Sequence, residues 1–120
     1  MKKVLVVDDE LEFTKDMGHA LEMFGYEPYM AGDGEGALNI IQKKKPDIVL
    51  CDYKLFDIAG DQILARTKKD HPEIKFVMIT AYYDEEMAQR FRNLGADEVI
   101  FKPIVLSNIE ALLAKLSKKE

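Results

Sequence analysis

The sequence predicts one α/β domain of (βα)5 type, a doubly wound sheet of five parallel strands with helices on both faces. Three observations carry this. Short runs rich in β-branched residues alternate five times with longer stretches of helical period. Most of these runs are continuously apolar, as strands covered on both faces must be. The chain has 120 residues, the size of one domain, and no linker or internal repeat divides residues 1–120.

The strands are predicted at Lys3–Val7, Glu27–Ala31, Asp47–Asp52, Lys75–Thr80 and Glu98–Phe101. The second contains Pro28, which lacks an N–H for a ladder, so it belongs at a sheet edge. The first helix places Phe13, Met17, Ala20, Leu21 and Phe24 on one face and stops at Gly25. The second carries Ala37, Ile40 and Ile41 inward. The lysines at 43–45 suit the negative end of that helix, and Pro46 ends it. The third spans Ala59–Asp70. The fourth spans Asp84–Leu94, with Met87, Phe91 and Leu94 inward and Gly95 after it. The fifth runs from Ser107, an N-cap with Glu110 at capping-box spacing, and turns Ile109, Leu112, Leu113 and Leu116 inward.

Composition narrows the function. Lys plus Arg total 17 and Asp plus Glu 22, a formal net charge of −5. That balance argues against a nucleic-acid or anionic-membrane binder, which needs a basic face. No apolar run approaches the roughly 20 residues that cross a bilayer. The apolar stretch after Lys2-Lys3 is too short for a signal peptide. A single cysteine excludes an internal disulfide framework and a multi-Cys metal site. The expected compartment is the cytoplasm.

In open α/β sheets, ligands bind outside the carboxyl ends of the strands. There the first strand ends in Asp8-Asp9, the third in Asp52, the fourth in Thr80 and the fifth in Lys102-Pro103. Three clustered carboxylates repel one another and raise each other's pKa. A hard divalent cation relieves this, and Mg²⁺ favours a few carboxylates together with phosphate oxygens. Lys102 adds one compact positive charge. Three acids and one base leave two unbalanced negative charges, which one Mg²⁺ neutralises. The set is a cradle for a transferring phosphoryl group, with an Asp carboxylate as nucleophile. Asp52 is the best nucleophile, because its strand is central while Asp8 and Asp9 form an adjacent pair suited to metal.

These residues resemble the receiver domain of two-component response regulators, of the chemotaxis-regulator kind. The resemblance covers essentially the whole chain. It rests on Val4-Leu5-Val6-Val7-Asp8-Asp9-Glu10, Pro46-Asp47-Ile48-Val49-Leu50-Cys51-Asp52, Ile79-Thr80-Ala81, Gly95-Ala96-Asp97 and Lys102-Pro103, in that order. It implies a flavodoxin-like fold with strand order 2-1-3-4-5. It implies that Asp8 and Asp9 organise Mg²⁺, joined by Asp52 and the main-chain carbonyl of Lys54. It further implies that Asp52 is the phospho-acceptor, Thr80 the switch hydroxyl and Lys102 the phosphoryl contact, with a cis Lys102–Pro103 bond.

The chain departs from the family pattern at three places. After the acceptor, Leu55-Phe56 stands where Met-Pro is usual, and Ala59-Gly60 where Asp-Gly is usual. The usual switch aromatic, three residues before the lysine, is Val99, which has no ring to move. Activation is then expected to rest on the Thr80 loop, Phe101 or Tyr82, with phosphorylation shifting the fourth-helix region. Tyr82, two residues after Thr80, is expected to shield the phosphoryl group.

Other signals are discounted. Gly32-Asp33-Gly34-Glu35-Gly36 misses the dinucleotide spacing by one residue and follows the wrong strand, so it reads as a flexible turn. His19 is expected in solvent, and His71 in a loop before Pro72. Cys51 is expected as an inert packed thiol. The methionines read as packing residues, mostly on core faces.

The leading expectation is a phosphorylation-controlled switch. It draws phosphoryl from a sensor histidine kinase or a histidine phosphotransfer protein. It presents the fourth helix, fifth strand and fifth helix to a downstream effector, without contacting nucleic acid or membrane. It is a monomer or a phosphorylation-dependent dimer, and 120 residues amount to one receiver with no output domain in its tail. It catalyses only its own phosphorylation and dephosphorylation, so it is not an enzyme in the usual sense. One rival is a Mg²⁺-dependent phosphatase of haloacid dehalogenase type. That type places an Asp-x-Asp motif after the first strand, where this chain has adjacent aspartates. The other rival is a non-phosphorylated interaction module, against which the intact acidic set argues.

Overall fold

A computed structural model describes residues 2–117. Strands and helices alternate in chain order as β1 Lys3–Val7, α1 Leu11–Met23, β2 Glu27–Ala31, α2 Gly34–Lys44, β3 Ile48–Asp52, α3 Gly60–Asp70, β4 Lys75–Thr80, α4 Glu85–Asn93, β5 Glu98–Phe101 and α5 Leu106–Ser117. The strands form one parallel sheet in the order β2-β1-β3-β4-β5. Pro28 therefore sits in an edge strand. This is the flavodoxin-like (βα)5 architecture. Expectations placed on Met1 and on residues 118–120 lie outside the described residues.

Strand alternation divides the core into two layers. Leu5, Val7, Val49, Cys51, Phe76, Met78 and Val99 face α2, α3 and α4, meeting Ala37, Ile41, Ile63, Leu64 and Phe91. Val4, Val6, Ile48, Leu50, Val77 and Ile79 face α1 and α5, meeting Met17, Leu21, Ile109 and Leu113. The central strand β3 is buried at every residue. Each fully buried large side chain contributes about 1.5–3 kcal/mol of transfer free energy.

Helix boundaries follow local hydrogen bonding, and here several expectations are corrected. Asp84 lies outside α4 and caps it, its carboxylate accepting from Glu86 and Met87 N–H. Ala59 is the residue before α3. Ser107 does not cap α5. The helix begins one residue earlier, because the Val105 carbonyl already accepts from Asn108 and Ile109 N–H. The Gly32–Gly36 segment is not a free turn: Asp33 caps α2 by accepting from Gly36 N–H. Met17 and Met78 are core residues, but Met23 and Met30 are exposed. Cys51 is buried, and His19 is exposed.

Candidate functional site

Alternation along the strands decides which side chains meet at the carboxyl edge. Asp8 continues the parity of Val4 and Val6, and Asp52 that of Ile48 and Leu50. Lys102 continues the parity of Ile100, which packs on the same layer. All three therefore point to the α1/α5 side of the sheet. Thr80 has the opposite parity, with Phe76 and Met78.

The convergence is close. Asp8 and Asp52 are 1% and 7% exposed, whereas Asp9 is open to solvent. Asp8, Asp9 and Asp52 each offer a carboxylate oxygen within 4.8 Å of the others, a group that can hold a metal ion. Lys102 Nζ stands 3.4 Å from Asp52 Oδ1 and 3.5 Å from Asp8 Oδ2. Its ammonium also lies 5.8 Å from the centre of the Phe13 ring, a cation–π contact from α1.

The electrostatics follow from this crowding. Burial pushes the Asp52 carboxyl up to about 6, with the Asp8 and Asp9 charges adding to the effect and Lys102 opposing it. Burial alone lowers the Lys102 ammonium, but the Asp52 and Asp8 charges outweigh it and the net shift is upward. The lysine stays charged while the acidic group remains under-neutralised.

Around this centre the backbone is pinned. Lys102 N–H donates to the Thr80 carbonyl at 2.9 Å, extending the β4–β5 pairing to the edge of the pocket. Tyr53 N–H donates to the Ile79 carbonyl at 2.8 Å, and the Tyr53 carbonyl accepts from Gly60 N–H at 2.7 Å. Lys54 thus leaves the sheet from an anchored residue. Gly60 is required by this closure: a Cβ there would lie 2.8 Å from the Asp52 carbonyl oxygen and from Tyr53 Cα. That explains why Gly60 stands after the altered Leu55-Phe56 and Ala59 positions. The Lys102–Pro103 peptide is cis.

The Thr80 hydroxyl is 2% exposed in its residue and accepts from Tyr82 N–H at 3.0 Å. Val99 is buried against α4 and has no freedom to swing. Phe101 is paired across the sheet with Thr80, and its ring packs edge-on against Tyr83 at 4.5 Å. Spacing placed Phe13 on the inward face of the first helix but not beside Lys102, and it did not single out Tyr83, since these contacts join residues distant in sequence.

Chemically, the pocket offers hard oxygen donors, one carboxylate at the end of a rigid central strand and one fixed ammonium. A family model for the response regulator receiver domain matches residues 4–114. The chain belongs to this family. Receiver domains act as phospho-acceptors in signalling. This receiver is 32% identical over 114 residues to the sporulation initiation phosphotransferase F of Bacillus subtilis, covering 95% of this chain and 92% of that protein. It is 32% identical over 120 residues to the phosphate regulon transcriptional regulatory protein PhoB of Pseudomonas aeruginosa, covering 98% of this chain and 52% of that one. The chain thus spans about half the length of several curated relatives it matches. Among solved structures, a CheY-like receiver domain protein from Methanospirillum hungatei is 32% identical with a TM-score of 0.90, covering 97% of this chain and 94% of that one. No helix among the described residues is long and apolar enough to cross a membrane.

Proposed function

We propose that the receiver accepts a phosphoryl group on Asp52 from a phosphohistidine of a sensor kinase or histidine phosphotransfer protein, in a Mg²⁺-dependent reaction. The observation that carries this is the meeting of Asp8, Asp9 and Asp52 within 4.8 Å beside a single lysine. The donor set fits Mg²⁺: three carboxylates, one of them solvent-open, and excess negative charge that Lys102 alone does not balance. Asp8, Asp9, Asp52 and the Lys54 main-chain carbonyl would hold it. When bound, the ion supplies charge neutralisation and orientation for the phosphoryl oxygens.

The Asp52 carboxylate attacks phosphorus, and the bond to the histidine nitrogen breaks with its electron pair left on the imidazole. Lys102 meets a phosphoryl oxygen, and the Thr80 hydroxyl turns from Tyr82 N–H to donate to another. Hydrolysis then forms a bond from water oxygen to phosphorus and returns Asp52 as a free carboxylate. The domain changes only its own phosphorylation state. The hydroxyl turn releases the Tyr82 segment and shifts the α4 region, so α4, β5 and α5 present the signal to an effector. The reading places the domain in the cytoplasm, as a monomer or a phosphorylation-dependent dimer, with residues 1–120 acting as one receiver unit.

The test is incubation with a small acyl phosphate and Mg²⁺, read by intact mass. One phosphoryl adduct is expected on the wild type and none on Asp52→Asn. An adduct that survives Asp52→Asn overturns the acceptor assignment. No adduct on the wild type restores the interaction-module reading, and steady turnover of a generic phosphomonoester restores the phosphatase.

A further inference from the structure

The loop between β3 and α3 carries Lys54, yet residues 54–59 contain no regular structure. One of the loop's own side chains ties it to a neighbouring helix. Asp57 Oδ1 accepts from Gly34 N–H at 2.8 Å, and Asp57 Oδ2 accepts from Glu35 N–H at 3.1 Å. The same Oδ1 accepts from its neighbour Ile58 N–H at 2.8 Å. Gly34 and Glu35 open α2, where the first N–H groups have no partner within the helix. The ordinary cap, Asp33, satisfies only Gly36 N–H at 2.7 Å. Asp57 therefore completes the cap of a helix 22 to 23 residues away in sequence.

The approach is close enough to dictate a second residue. A Cβ on Gly34 would fall 2.8 Å from Ile58 Cβ and 3.2 Å from Asp57 Oδ1. Only glycine lets the loop seat on the helix end. The backbone N–H of Gly34 is also the leading reason the Asp57 carboxyl lies below the ordinary carboxylate range. A negative group at the positive end of a helix is favoured on the same grounds. Asp57 itself is exposed, so nothing about its burial explains its placement.

We infer that Asp57 is a positioning residue for the phosphorylation site, clamping the Lys54-bearing loop to the N-terminus of α2. This rests on the proposed Mg²⁺ site, because the loop would present the Lys54 carbonyl to it. The clamp holds the middle of the loop, while the Gly60–Tyr53 hydrogen bond closes its two ends. Without it, the carbonyl loses its fixed direction although every carboxylate remains in place.

The control is already built into the helix. Asp33→Ala removes the other cap of α2 and touches no loop residue, so it reports loss of helix capping alone. The probe is Mg²⁺ itself, titrated against the full chain and followed by amide shifts. Asp57→Ala is expected to weaken Mg²⁺ roughly tenfold, the scale of lost outer-shell support around a metal. Asp57→Asn, which keeps one acceptor, should fall between. Asp33→Ala should bind Mg²⁺ as the wild type does. Equal weakening in the two alanine variants, or none in Asp57→Ala, overturns the inference. Amide exchange in metal-free protein separates this from failure of the Mg²⁺ reading. Residues 53–58 should exchange faster in Asp57→Ala and not in Asp33→Ala; unchanged exchange overturns the clamp by itself, whereas a wild type that binds no Mg²⁺ removes the metal site on which it rests.

Discussion

Lys54 Nζ donates to the Tyr82 hydroxyl at 2.7 Å, with its ammonium 5.3 Å from the centre of the same ring. This joins the loop after β3 to the loop after β4, directly beyond Asp52 and Thr80. The two residues form a brace across the rim of the acidic pocket, and Tyr82 is simultaneously tied through its N–H to Thr80.

The brace should slow the attack of water on a phosphoryl group at Asp52. Tyr82→Glu removes the ring and places a carboxylate beside Lys54. We expect the half-life of phospho-Asp52 to shorten by roughly fivefold, equivalent to about 1 kcal/mol of barrier. Decay of the phosphorylated mass after removal of the donor measures it. An unchanged half-life rejects shielding.

Asp52 should cost the metal-free protein stability at neutral pH. Its carboxyl ionises at an ordinary 3.8 in the unfolded chain and near 6 in the fold, chiefly because of burial. Between those values the folded state holds more protons than the unfolded one, so stability falls as pH rises from about 4 to about 6. The loss is at most about 3 kcal/mol. Asp52→Asn should recover most of it at pH 7 in chelator-treated buffer and little at pH 3.5. Urea midpoints at the two pH values test this; an equal difference at both defeats it.

Lys102→Met should move two observables in opposite directions. The ammonium stands within 3.5 Å of two carboxylates, so it competes with any cation there. Its removal should tighten Mg²⁺ by several-fold, on the order of 1 kcal/mol at the dielectric of a half-open pocket. Phosphoryl uptake from the small donor should nonetheless fall at least a hundredfold, the scale of a lost charge-stabilising donor. Weaker Mg²⁺ binding in this variant would mean that the lysine supports the site structurally rather than electrostatically.

Most of the scaffold was written in local pattern. The unbroken apolar runs of β1, β3 and β4 located the sheet interior, Pro28 located an edge, and apolar spacing assigned the helix faces. The candidate set at the strand ends could be read because the topology of a parallel sheet sends every carboxyl end to one side. The errors and omissions share a different origin. Ser107 had the composition of a cap, but the Val105 carbonyl closes the turn first. Gly34 looked like part of a loose turn because the group that needs its missing side chain, Ile58, is 24 residues on. The Asp57 clamp, the Lys54–Tyr82 brace and the Tyr83–Phe101 pair are loop-to-helix, loop-to-loop and loop-to-strand contacts. No periodicity records them.

Val99 occupies β5 where it is sealed against α4, while the neighbouring rings of Phe101 and Tyr83 lie further out, with Tyr83 87% exposed. Val99 is therefore a fixed strut rather than a moving part. On the proposed reading, what Thr80 starts at Asp52 travels along the loop after β4 and ends in aromatic surface, so a partner would feel the message as a change of texture where Tyr83 meets solvent.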